Sequence, residues 1–219
     1  MEFINWEQRV KPELQPNPLM SLLAEVTQSI FNYKEKHLYP YSKPEYREFI
    51  KGFGEFLRKM RDYLKDIKAF QRTGDSAEKD TEQHFNYHLA EYLKNLDKQR
   101  KEKHNSLMLN FIRLSQLYQR CFERKIPGPG IFIDKNGFVK KDFLDKSGDI
   151  DLTKISSEER EQFSEWAVKI AQGLEKLNKS ETQEEKPYLD LLENEERETQ
   201  TYEERTQQIE KELFNKGEK

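Results

Sequence analysis

Apolar residues recur at three- and four-residue steps along most of this chain, and that period predicts a mainly α fold. Asn17 before Pro18 marks the start of a first helix, since Pro at the first helical position gives up no hydrogen bond. Its face is Leu19, Leu22, Leu23, Val26, Ile30 and Tyr33, and it ends near Lys36. A second helix runs from about Ser42 to Arg72. It opens on the capping box Ser42-x-x-Glu45 and closes at Gly74, where Gly tolerates the left-handed cap. Tyr46, Phe49, Phe53, Phe56, Met60, Leu64 and Ile67 make one stripe of this helix. Lys51, Arg58, Arg61, Lys65, Lys68 and Arg72 make another on the opposite side, with Glu48, Glu55, Asp62 and Asp66 between them. Gly52 and Gly54 each cost the helix about 1 kcal/mol relative to Ala, and mark a bend or the close approach of another helix.

A third helical region opens at the box Asp75-x-x-Glu78 and carries Phe85, Leu89, Tyr92, Leu93 and Leu96. The polar run Lys98 to His104 interrupts it before Leu107, Phe111, Leu114, Tyr118 and Cys121 resume the period. One helix with a polar waist, or two with a break at Asn105-Ser106, both satisfy the pattern. Pro127-Gly-Pro-Gly130 stops this region, and two short apolar runs around Asp134-Lys-Asn-Gly137 read as a β-hairpin at about 131–141. Ser156-x-x-Glu159 caps a fourth helix with face Phe163, Trp166, Ala167, Ile170, Leu174 and Leu177. After a polar linker, Pro187 starts a last helix to about Phe214 whose apolar residues are sparse and whose middle, Asn194 to Gln200, is nearly all polar. No internal repeat is expected. The predicted architecture is an elongated bundle of four or five helices with a small inserted β-hairpin. Residues 1–16 form an arm, 17–178 a helical body, and 179–219 a polar linker and acidic C-terminal helix.

Composition sharpens this picture. Apolar residues are 34% and charged residues 36%, so little apolar surface is available for a thick core. Fourteen Phe and ten Tyr supply large packing groups instead. Charge is uneven: residues 181–219 hold 13 acidic and 6 basic residues, net −7, while residues 1–180 are net +4. Such asymmetry marks an interaction tail, or a tail that masks a basic surface. Cys121 is the one cysteine, so no intrachain disulfide forms, and its apolar neighbours point to a buried free thiol. The opening MEFINWEQRV has no basic n-region or apolar h-region, and no apolar run approaches the length of a membrane span. A cytoplasmic location without membrane contact is the expectation.

Candidate chemistry is thin. His84, His88 and Glu91 share a helix face and could ligate a divalent metal, although the spacing is neither that of a zincin nor that of a di-iron bundle. Arg100-x3-His104 resembles the Arg–His pair of HEPN-type ribonucleases in residue type, but that family places four to six residues between the two, so no role is carried over. Asp145-x-Ser147-x-Asp149-x-Asp151 alternates oxygen ligands like a calcium loop, yet Gly148 and Ser156 stand at the wrong positions. The cations of the second helix could track a nucleic-acid backbone, joined by Lys98, Arg100, Lys101 and Lys103. The acids beside them favour an ordinary salt-bridged exterior, ahead of one that meets nucleic acid, a protein partner or the chain's own acidic tail. The leading expectation is a non-catalytic interaction or assembly subunit, without cofactor. It would bind protein partners through its arm, hairpin or C-terminal helix. The alternative is a nucleic-acid-backbone-binding subunit of a ribonucleoprotein-type effector, and the third is a metal-dependent enzyme.

Overall fold

A computed structural model describes residues 17–80, 87–129, 132–134, 136–179 and 184–217; the arm 1–16 lies outside them. Five α-helices make up most of the described chain: α1 Pro18–Lys36, α2 Pro44–Asp80, α3 Tyr87–Phe122, α4 Ser157–Asn178 and α5 Lys186–Gly217. The protein is mainly helical, as the periodicity predicts. No helix among the described residues is long and apolar enough to cross a membrane.

α2 is the hub: α3, α4 and α5 all pack on it, and α1 packs on α3, α4 and α5. Its apolar stripe is buried as expected, with Tyr46, Phe49, Phe53, Phe56 and Met60 all enclosed. Low apolar content is offset by ring size. Phe56 of α2, Phe111 of α3 and Phe163 and Trp166 of α4 form one aromatic cluster, with ring centroids 4.7 to 6.1 Å apart. Farther along, Tyr33 of α1 stacks on Tyr46 at 4.9 Å, and both meet Phe122 edge-on. Gly173 lets α4 approach α1, since a Cβ there would stand 2.8 Å from Leu19.

Several boundaries differ from the sequence reading. Asn17 caps α1 as expected, its side chain accepting from the Leu19 amide. The Ser42 box does not form. Ser42 instead donates to the Tyr39 carbonyl within a single 3-10 turn, and α2 starts at Pro44. α2 also runs through Gly74 and Asp75 to Asp80, so neither the glycine stop nor the Asp75 box is used. Each such signal is worth only about 1 kcal/mol and biases a helix end without dictating it. α3 is a single helix across the polar waist. The waist is held by pairs one turn apart, from Asp97 to Arg100 and Lys101, and by Leu107 returning in phase with the upstream face.

Among the described residues of 131–141 the expected β-hairpin forms no strands. In its place are two copies of one small turn, eleven residues apart. Ile133 and Val139 make an isolated antiparallel bridge, and so do Leu144 and Ile150. In the first turn Asp134 Oδ1 accepts from the amides of Asn136 and Phe138; in the second Asp145 Oδ1 accepts from Ser147 and Asp149. Gly137 and Gly148 take the left-handed position of each, at φ 81° and 87°. The amide of Lys140 bonds the carbonyl of Phe132, and that of Asp151 bonds that of Phe143. Each copy ends in a 3-10 turn, Lys141–Phe143 and Leu152–Lys154, which carries the chain away before a ladder can grow. Phe132 and Phe143 are buried beside each other and tie the pair to the core. The Asp145–Asp151 pattern is thus accounted for by backbone turns and a cap on Thr153.

α4 carries the full capping box at Ser156 and Glu159, and Arg160 ties its start to the Ile155 carbonyl and to Asn105 of α3.

Candidate functional site

The seam between α5 and the α1–α2 pair holds the densest set of charged contacts between helices. α5 repeats at steps of four and three: Tyr188, Leu192, Glu195, Thr199, Tyr202, Thr206, Ile209 and Leu213. That is the spacing of a coiled-coil seam. Leu192, Glu195 and Thr199 are buried, and Tyr202 and Thr206 are half-buried. A polar residue fills the seam where an apolar one is the rule, and α1, α2 and the 3-10 turn between them supply its partners.

Glu195 is that residue. Its Oε1 accepts from Lys34 Nζ of α1 at 2.5 Å. Its Oε2 accepts from the hydroxyls of Tyr41 and Tyr46, each at 2.8 Å. Only 8% of its side chain is exposed, so the carboxylate's stability depends on these three donors. Burial weakens the hold of Lys34 on its proton, but the bonds to Glu195 and Tyr41 outweigh it, and its pKa sits above the ordinary lysine value. Burial, reinforced by the bond to Glu195, pushes Tyr41 up to about 12. Burial and the Glu195 charge push Tyr46 higher still.

Two outer rows complete the seam. Glu196 receives both Nη groups of Arg58 at 3.0 and 3.1 Å, the planar fork geometry that makes Arg–carboxylate pairs specific. Gly54 makes room for it, since a Cβ there would stand 2.6 Å from the Glu196 carboxylate. Glu203 pairs with Lys51, and with Arg47 Nε at 3.4 Å. Arg47 also lies over the Tyr202 ring, 5.5 Å from its centroid. Glu196 faces Gly54 and Arg58, whereas Glu203 faces Arg47 and Lys51. α5 therefore runs antiparallel to α2, and its last turns pass the start of α2 at Pro44.

The structure thus divides the predicted basic stripe. Lys51 and Arg58 meet α5, and Lys68 pairs with Glu175 of α4. Lys65 pairs with Asp62 on its own helix, and Arg61 is half-buried. The Arg72 side chain lies outside the described residues. On α3, Lys98 faces Glu102 at 3.9 Å, Arg100 and Lys101 share Asp97, and Lys103 is exposed. The α3 cations are not brought to α5. The His104 ring packs between Tyr63 and Phe163. Burial, with Arg160 and Arg100 nearby, lowers its pKa from the ordinary 6.5.

His84 lies outside the described residues, as does the side chain of His88, and Glu91 is exposed on α3. The described residues hold no group of three or more His, Cys, Asp or Glu placed to hold a metal ion. Burial pushes the Cys121 thiol up to about 12, so it is protonated at neutral pH and a poor nucleophile. Tyr41 and Tyr46 are likewise held protonated. The arrangement fastens α5 to the bundle.

Beside the seam lies a cleft of about 290 Å³ lined by Lys34, His37, Leu38, Tyr39, Pro40, Tyr41, Ser42 and Tyr202. Leu38 and Tyr39 are 84% and 71% exposed. Beyond Thr206 every described side chain of α5 is exposed, including Ile209 and Leu213. Glu195 and Thr199 are the residues the sequence reading missed. The signal was available in the four-three spacing that runs through both, and in the tyrosines and lysine of the preceding helices. Compared with protein-family models, with curated proteins and with solved structures, the chain matches none.

Proposed function

We propose that this protein is a non-catalytic interaction subunit, an elongated helical bundle that holds a place in a larger assembly. One observation carries the reading. Of the six large apolar side chains exposed among the described residues, four gather at one end: Leu38, Tyr39, Ile209 and Leu213. Leu38 and Tyr39 border the cleft that Tyr202 closes, and Ile209 lies two turns farther along the same stripe of α5. Apolar groups concentrated in this way mark protein-binding surfaces, whereas scattered ones do not. The paired cations of α2 support the same reading over binding to nucleic acid, because a phosphate backbone would have to displace carboxylates already in place.

The test is site-specific photo-crosslinking in cells from position 39, position 209 and, as control, position 158 on the exposed start of α4. The reading expects one protein captured from both 39 and 209 and not from 158. Equal yields at all three positions would contradict it. So would steeply salt-dependent binding of labelled RNA or DNA by the full chain, which the reading expects to be absent.

A further inference from the structure

We propose that the free end of α5, with the Leu38–Tyr39 loop beside it, is the docking site for a basic amphipathic helix of another protein. The proposal rests on the interaction-subunit reading and names the chemistry of the partner. α5 itself supplies the template. Glu196, Glu203 and Glu210 fall seven residues apart, each immediately after a seam residue: Glu195, Tyr202 and Ile209. They form one flank of the seam. The first receives Arg58 and the second receives Lys51 and Arg47, so within this chain the flank is always met by cations. Glu210 is next in the row and is exposed, as is Ile209 in front of it.

The surface that would continue the seam therefore has a defined character. It places apolar side chains against Ile209 and Leu213 and a Lys or Arg against Glu210. α2 cannot supply it, because α2 begins at Pro44 and α5 has passed that point. The loop that precedes α2 adds Leu38 and Tyr39, which are exposed and line the cleft beside Tyr202, seven residues before Ile209. An apolar seam flanked by cations, on a helix that can lie along α5, meets all three requirements. A second copy of α5 meets them less well, since an antiparallel pair sets Glu210 against Glu210.

The probe is a labelled 28-residue helical peptide with Leu and Ile at the seam positions and Lys at the flanks. Its control carries Glu at the flanks. Both are titrated by fluorescence anisotropy against the full chain, whose mass is also measured by sedimentation equilibrium. The Lys peptide is expected to bind and the Glu peptide not. Ile209→Lys with Leu213→Lys should weaken binding about tenfold or more, and Glu210→Lys about threefold, with no change in melting temperature. Equal binding of the two peptides, or binding indifferent to these substitutions, overturns the proposal. A chain that is already dimeric, and becomes monomeric with Ile209→Lys and Leu213→Lys, also overturns it by assigning the face to a second copy. If the Lys peptide fails while photo-crosslinking still captures one protein from positions 39 and 209, this inference falls and the interaction-subunit reading stands.

Discussion

The two halves of α5 share one spacing and one flank of glutamates but differ in what lies across from them. From Tyr188 to Tyr202 the seam is closed by α1 and α2, with a buried carboxylate at its centre. Beyond Thr206 the same stripe continues as Ile209 and Leu213 and lies open. Both halves carry apolar seam residues, Tyr188, Leu192 and Tyr202 in the docked half and Ile209 and Leu213 in the free one, so hydrophobicity alone does not separate them. Burial follows complementarity. Glu195 is enclosed because Lys34, Tyr41 and Tyr46 converge on it, whereas Ile209 is exposed because, among the described residues, α2 starts at Pro44 and does not reach it.

The largest expected effect breaks the docked half. Glu195→Ala removes the acceptor of three donors and leaves Lys34, Tyr41 and Tyr46 without their shared partner. It should lower stability by about 3 kcal/mol, read as a lower urea midpoint. Tyr46→Phe removes one donor and leaves the carboxylate two others. It should cost about 1 to 2 kcal/mol, and the double variant should cost less than the sum.

A pH titration separates the seam from the core beside it. The folded-state pKa of His104 is lowered, so the unfolded chain binds the extra proton more readily. Stability is intact above the ordinary value of 6.5 and falls as the pH drops below it toward the folded-state pKa. His104→Gln should flatten urea midpoints measured between pH 7 and 5 without altering the contrast along α5. Gly54→Ala is smaller. Its methyl displaces the Glu196 carboxylate and weakens the Arg58 pair, while the helix gains about 1 kcal/mol of propensity. Net stability should stay within about 0.5 kcal/mol of the parent, with Arg58 and Glu196 no longer coupled in a double-mutant cycle. Ile209→Lys with Leu213→Lys should be the smallest, leaving the melting temperature unchanged.

Much of the fold was legible in the sequence where one face carries all the information. α1 and α4 announce themselves by Asn17-Pro18, by Ser156 and Glu159, and by apolar stripes that are buried where expected. Gly54 was legible as a close approach, though not as an approach of Glu196. The ends of α2 were not, because Gly74 and the Ser42 and Asp75 boxes are local preferences of about 1 kcal/mol that the continuing helix overrides. The paired turns were misread as a hairpin because Asp134-Lys-Asn-Gly137 was weighed alone; Asp145-Lys-Ser-Gly148 repeats it eleven residues later. The seam was missed for a different reason. Glu195 and Thr199 are polar and break the apolar stripe, and the donors that enclose Glu195 lie about 150 residues away in sequence, so the four-three spacing was not weighed as a buried seam.

Hydrogen exchange along α5 in the full chain tests the account most directly. Amides from Tyr188 to Tyr202 should exchange slowly and those from Gln207 to Leu213 fast, and Glu195→Ala should erase the difference by releasing the first set. Equal exchange in the two halves of the parent chain, or a difference that survives Glu195→Ala, would contradict it.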